Sequence, residues 1–483
     1  MISPAKIYSI LGNPKALAPL GVKDGANCLG LTASAYATGK KEEAQDRFID
    51  EAGTEVIWLG GIPAFKKLID KTVFKVAKLD ANYDIRNLEN KEIFQKTKEH
   101  APTKEIAEGI DKIASKAKLF KALSLGKVVL ATAMTFGAYD VLTDLRQKYI
   151  YKKVKKQVAK EMAQGNSMDK FIKKSMSGED FVNTKNSHDY PAFSSLKTHN
   201  SNKNNPSFKG GLVNFVLDPV KNMYVLDGGI TSQRLIKSRN SQDFAGYVIK
   251  EGGFLFFMYY LGQKIQDHME HTASKNHGKS INLDSRILED DHFKKMFIDG
   301  SIEKHLEAFP SGKDVKDVDL YEFLHNHPEN TVVSVAKKAE IIQTYKEPVE
   351  GTGVFGFFKA KKNTGKIDTR KYINLGETEG KHAYESGIRG LHKHISKLYS
   401  EFKASGEDVD TFFNGVRKLK RSSIKKNMAA SMVALGVILP GIMLAKRLLS
   451  GDKEYAVKKQ VREDMEKEMQ AKNGMNSPKA AAA

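Results

Sequence analysis

Histidine titrates near neutral pH and is the commonest metal ligand, and ten of the 13 histidines lie between His268 and His394. His268 and His271 stand three apart, which on a helix places them on one face. A metal site there needs two further ligands, and the nearest acids are Asp267 and Glu270. The pairs His325/His327 and His392/His394 have a spacing that converges on a strand and diverges on a helix. This pattern favours solvated histidines over a metal centre. Residues 351–356 read Gly-Thr-Gly-Val-Phe-Gly, with Lys359 close behind, the letters of a phosphate-cradling loop. That loop requires a strand before it and a helix after it, whereas here Pro348 and a charged, helix-like stretch precede it. A kinase reading requires H-R-D and D-F-G motifs, and neither occurs. The segment therefore reads as a loop with an apolar tip at 354–358.

Asp84, Arg86 and Glu89 recur as Asp284, Arg286 and Glu289 in the pattern D-x-R-x-L-E. Paired acids can do acid–base chemistry, but a carboxylate followed by a helix is more simply a cap that complements the helix dipole. Cys28 is the only cysteine, which excludes an intrachain disulfide and a cysteine-based zinc site. No nucleophile elbow, zincin, Walker or calcium-loop motif is present. No catalytic, cofactor-binding or metal-binding residue is assigned, no cofactor is implied, and a non-enzymatic role is expected.

The elements that carry these residues repeat. Val-Lys-Lys-Gln-Val occurs at 154–158 and again at 457–461. Glu51-Ala52-Gly53 and Glu251-Gly252-Gly253 each precede an apolar run, and Gly109–Ile113 resembles Gly415–Leu419. The matches keep one order in both halves, the signature of an internal repeat. The expected fold is all-α: a tandem duplication of a helical unit with two apolar helices each, and a helical insertion in the second unit. The expected division is a first unit at 1–182, a polar linker at 183–208, and a second unit at 209–300 and 406–475. That second unit is interrupted by an inserted helical subdomain at 301–405, and a tail occupies 476–483. Asp368-Thr369-Arg370 repeats the D-x-R pattern inside the insertion.

The apolar segments are 56–65 and 119–142 in the first unit and 254–262 and 427–445 in the second. A membrane span needs about 20 apolar residues. Residues 427–445 number nineteen without a charge, bracketed by Lys425-Lys426 and Lys446-Arg447, with Leu439 near the middle. Within 119–142 only 128–139 is free of charge, and the other two segments have the length of buried or re-entrant helices. Gly60, Gly61 and Pro63 should bend or break a helix through 56–65. Residues 381–402 place Ile388, Leu391, Ile395 and Leu398 at helical spacing, and 152–163 and 455–472 are rich in helix formers. Residues 212–217 and 224–226 could pair as a small hairpin. The amino-terminal residues show no charged stretch leading into a long apolar run, so no secretory leader is expected.

The chain has 483 residues and a net charge of +20. Sixty-six of its 78 basic residues are lysine. Arginine, not lysine, makes the bidentate contacts that read phosphates and bases, so nucleic acid is a poor fit. Lysine runs at 152–156 and 418–426 flank apolar segments, which suits anionic lipid headgroups. The leading expectation is a membrane-associated or integral scaffold or anchor, with at least one span at 427–445 and lipids as partners. The alternative is a soluble, cytoplasmic, basic helical protein that binds an anionic partner such as nucleic acid.

Overall fold

The computed structural model describes residues 4–12, 17–38, 41–163, 217, 219–238, 241–312, 314–351, 359–376, 387–449 and 455–475. About 80% of the described residues are helical, so the all-α class holds with one small exception. The linker expected at 183–208 and the tail expected at 476–483 lie outside the described residues.

Helices α1 (Pro4–Leu11) and α2 (Leu17–Ala37) precede α3, a rod running through Lys41–Ile69, a π-helical turn Asp70–Phe74 and Lys75–Ala77. Pro63 lies inside this helix, which corrects the expectation of a break at 56–65. A proline costs one backbone hydrogen bond, and packing along the whole rod offsets that loss. Gly61 contributes to the packing: a Cβ there would sit 3.2 Å from Thr135 on the neighbouring helix. The apolar run is thus the middle of a 29-residue stretch, about 43 Å long at 1.5 Å per residue. Next come α4 (Lys91–Glu99), α5 (Lys104–Ser115) and the 47-residue α6 (Ala117–Ala163).

The second half opens with α7 (Pro219–Ile236). It absorbs 224–226, which were expected as a strand, while 212–216 lie outside the described residues. Burial at four-residue steps, Leu226, Ile230 and Arg234, overrides local strand propensity here. Helix α8 runs through Ser241–Leu255, a π-helical turn Phe256–Leu261 and Gly262–His277. A one-turn helix Ser285–Leu288 and four further short helices follow: α9 (Asp291–Ile298), α10 (Ser301–Ala308), α11 (Asp317–Asn326) and α12 (Thr331–Lys338). Strands β1 (Thr344–Val349) and β2 (Ala360–Ile367) then pair antiparallel, a correction to the all-helical insertion expected at 301–405. Glu347 lies opposite Lys362, an opposite-charge cross-strand pair that favours the hairpin. Helix α13 (Gly387–Ser405) buries Ile388, Leu391, Ile395 and Leu398, as their spacing predicts. Helix α14 runs through Val409–Val433, a π-helical turn Ala434–Ile438 and Leu439–Leu449, and α15 (Ala456–Met475) follows.

Two cores form a polar-surfaced head. One gathers side chains from Ala273 to Val416, among them Phe293, Phe297, Leu320, Val332, Ile395, Phe412 and Phe413. Residues 301–405 therefore share a core with the segments on either side of them. The other joins Phe74, Tyr83, Ile110, Ile113 and Phe120. The two are clasped by the D-x-R motifs. The Asp84 N–H donates to the Arg370 carbonyl at 2.7 Å, and Arg370 reaches Asp80 at 3.2 Å. His100 stacks on His325 with ring centres 4.2 Å apart, and its Nε2 lies 3.0 Å from Glu322.

Away from the head, Leu20, Trp58, Ile62, Leu226, Phe254, Met258, Leu435 and Leu439 pack together, with Phe136 against them. Beyond that layer Ile150, Val154 and Val158 meet Tyr455, Val457 and Val461. Helix α3 thus runs from Asp46, bonded to Tyr455, through Trp58 to Phe74 in the head. Helix α8 runs the same way, from Phe254 to Ala273. Helices α6 and α14 run oppositely, out of the head. The chain after α1 and helix α2 follow α14: a Cβ at Gly12, just past α1, would meet Ile424, and one at Gly30 of α2 would meet the Gly436 carbonyl. Helix α7 also leads away from the head, from Leu226 toward Arg234.

Burial holds the His325 imidazole down at about 4, below its ordinary value near 6.5. The neutral ring is the one the clasp accepts. Its contribution is present above pH ~6.5 and is lost as pH falls through about 4, a difference of ~3 kcal/mol. His325→Gln should flatten the acid loss of head stability between pH 7 and 4, followed by near-ultraviolet circular dichroism during unfolding. An unchanged acid limb would assign that loss to other groups.

Candidate functional site

Buried residues on α3 fall on a four-residue ladder: Asp46, Asp50, Thr54, Trp58 and Ile62. Four-residue steps stay on one helix face, so a single face changes from acidic to apolar along its length. The acidic end is met by cations from three other helices. Arg146 of α6 lies 2.9 Å from Asp50 and 3.6 Å from Asp46. Arg234 of α7 donates to Glu251 at 2.5 Å, to the Tyr139 hydroxyl at 2.8 Å and to the Thr54 hydroxyl at 3.0 Å. Lys250 of α8 lies 2.8 Å from Glu251 and also holds Glu51. Asp50, at the centre, is 1% exposed.

Taking ions out of water costs several kcal/mol each, and only close pairing returns it. Each of the three cations has at least one carboxylate within ion-pair distance. Arg47 adds a fourth positive charge over the Tyr247 ring, 5.6 Å from its centre. Beside the network lies a cavity of about 20 Å³ lined by Asp24, Asn27, Glu51, Thr54, Asp227 and Lys250, among others. Asp227 accepts a hydrogen bond from the Tyr259 hydroxyl. The arrangement supplies oxygen ligands and fixed charges, with no cysteine or histidine among the lining residues.

The sequence motifs lie elsewhere. Asp84 accepts from the Arg86 backbone N–H at 3.0 Å and takes its guanidinium at 2.9 and 2.6 Å. Asp284 does the same for Arg286, and Asp368 for Arg370. Asp84 and Asp284 are helix caps closed by their own arginines, and Asp368 closes a turn in the same way. Glu289 instead holds Arg421 and Arg417 of α14. His268 and His271 are exposed on α8. The His325 ring stacks on His100 while His327 pairs with Glu329. His392 lies on the Phe309 ring, and His394 lies 3.5 Å from Asn282. Among the described residues no three His, Cys, Asp or Glu side chains converge to hold a metal ion. Gly351 turns out of β1 with φ +79°, and residues 352–358 lie outside the described residues. Strand β2 follows the glycine motif, so the helix that a dinucleotide loop needs is lacking there.

Sequence reasoning passed over Asp50, Arg146, Arg234 and Lys250, and it used Glu51 and Glu251 only as repeat markers. Their signal was present as the four-residue ladder of α3, which mixes acids with Trp58 and Ile62. The chain matches no protein family, no curated protein and no solved structure.

Arg234→Met should leave Glu251 and Asp50 short of a buried partner and destabilise the bundle by ~3–5 kcal/mol. The double variant Arg234→Met/Glu251→Met should cost clearly less than the sum of the two single changes. Thermal unfolding of the full chain reads both, and strict additivity would show that the pair does not interact.

Proposed function

We propose that the chain is a membrane-embedded scaffold or anchor rather than an enzyme, built from two duplicated three-helix units that carry a polar head on one side. One observation carries this reading: the bundle buries a charged network beside its apolar layers while it turns apolar side chains outward. Two helical stretches, Ala117–Met162 and Val409–Lys446, are long and apolar enough to cross a membrane, and only 28% and 33% of their apolar windows are buried. Val129, Leu130, Val141 and Leu145 of α6 and Val433, Val437, Ile438 and Ile442 of α14 point outward. Asp50, Arg146, Arg234 and Lys250 point inward. Water would favour the reverse arrangement, and a hydrocarbon solvent favours this one.

The dimensions agree with that solvent. On α6, exposed Lys121 and Lys148 lie about 40 Å apart at 1.5 Å per residue, and within that interval Asp140 and Asp144 pair with Lys237. On α14, Lys426 and Lys446 are about 30 Å apart, the thickness of a hydrocarbon core. Both intervals centre on the layer that holds Phe136, Leu435 and Leu439. On α14 one face passes from Lys418, Ser422 and Lys425 into Ala429, Val433 and Val437, which suits a boundary between anionic headgroups and acyl chains.

Several equivalences support the duplication. The residues 41–77 of α3 and 241–277 of α8 are 200 positions apart and each contain a π-helical turn. Each rod ends in a left-handed residue, Lys78 and Gly278, followed by the caps Asp84 and Asp284 and then Asn90 and Asp290. Asp50 and Lys250, Glu51 and Glu251, and Trp58 and Met258 hold matching places with the same separation. The helices of each unit run away from, toward and away from the head, which suits parallel repeats. Val154 and Val457 pack in one cluster.

Carbonate washing of membranes tests the reading. The whole chain should stay in the pellet, and its recovery in the soluble fraction would overturn the proposal. In that event a salt-sensitive shift with nucleic acid, but not with anionic vesicles, would favour a soluble partner-binding role. Substitution separates lipid-facing from buried positions. Leu439, central in the apolar segment, is 1% exposed and faces Gly253, so Leu439→Lys should collapse the bundle. Val437 is 64% exposed. Val437→Lys should cut membrane insertion, by ~3 kcal/mol if it lies near mid-bilayer, while the head stays folded.

A further inference from the structure

We propose that the cavity between α2, α3, α7 and α8 binds one monovalent cation of about sodium size, held by Asp24, Asn27 and Asp227. The first argument is charge. Arg146, Arg234 and Lys250 are matched by Asp50, Glu51 and Glu251, and Asp46 shares Arg146 and the Tyr455 hydroxyl. Asp24 and Asp227 line the same cavity and form no ion pair among the described residues. Asp24 is buried at 9% exposure, and Asp227 is partly buried. Arg234 and Lys250 also line the cavity, but their close ion pairs are with Asp50, Glu51 and Glu251. The two further carboxylates are therefore left in excess and favour an added cation.

The second argument is an orphaned acceptor. Asn27 is 1% exposed, lines the cavity, and its Oδ1 meets no donor. A buried amide oxygen without a partner is costly, and a cation satisfies it directly. Asn27 stands three residues after Asp24 on α2, so the two oxygens share a helix face. Asp227 stands opposite, with one side of its carboxylate taken by Tyr259. The third argument is size. About 20 Å³ admits one particle of water size and not two. The set is hard oxygen throughout, which excludes soft metals, and two carboxylates are too few for calcium's usual six to eight oxygen ligands. Asn27 and Asp227 lie 200 residues apart, like Glu51 and Glu251, so the cation would sit where the two units meet. This inference holds whichever solvent covers the outside of the bundle.

The test is thermal unfolding of the purified full chain at fixed pH and fixed ionic strength, with sodium chloride exchanged for choline chloride. Sodium should raise the melting temperature by several degrees over choline and saturate, because the ion binds only the folded state. Asn27→Ala should raise the half-saturating sodium concentration at least about tenfold, and Asp227→Asn should abolish the response. Asp144→Asn, at an exposed residue outside the cavity, should leave it intact. If Asp227→Asn does not fold, Asn27→Ala still decides. Equal stabilisation by choline, or a full sodium response in Asn27→Ala, would overturn the proposal. So would acid stabilisation without any sodium effect, which would make the occupant a proton, and so would no cation effect at all, which would make it a water.

Discussion

The bundle depends on one constraint: charge placed where water is excluded must be neutralised by the protein itself. Asp50 sits at the centre of the bundle, and its partners come from three different helices, Arg146, Arg234 and Lys250. Each pairing fixes a distance and an orientation that apolar contacts alone leave loose. The network thereby sets the rotation of α3, α6, α7 and α8 about their axes. The layer of Trp58, Met258, Leu435 and Leu439 then fills the space that those rotations define.

Glycine settles how close the helices come. A Cβ at Gly30 would lie 2.2 Å from the Gly436 carbonyl oxygen, and one at Gly253 would lie 2.4 Å from Leu439. Small residues at such crossings let the helix backbones approach closely. Gly253 follows Glu251 by two positions. The charge network and the close approach to α14 are therefore set within one turn of α8.

Part of this was legible in the sequence. The helical class, the face of α13 and the apolar segment inside α14 follow from periodicity and composition. The D-x-R motifs were read as caps, and Asp84 and Asp284 do cap. The network was not legible, because acids and lysines in a lysine-rich chain look like a solvated face until their partners are known. Asp50 and Lys250 are 200 positions apart, and no local pattern announces such a pairing. The hairpin was missed because lysine-rich β2 lacks apolar alternation, with Thr364 and Ile367 its only β-branched residues. The continuity of α3 was missed because Gly60, Gly61 and Pro63 weaken an isolated helix, whereas here α6 packs along it. Local propensity is a weak prior against that much burial.

The π-helical turns of α3, α8 and α14 carry a consequence for how the head is aimed. A π-helical turn holds one residue more than an α-helical turn needs, and a single residue rotates everything beyond it by about 100°. In α8 the turn at 256–261 separates the charged face around Lys250 from the segment that delivers Ala273 to the head core. In α14 the turn at 434–438 separates Phe412 and Phe413 from Leu439. These turns act as phase shifters. They let one continuous rod obey the angular demands of the bundle at one end and those of the head at the other. Loss of a single residue within such a turn would keep the helix and its composition, yet point the head's contact face away from its core.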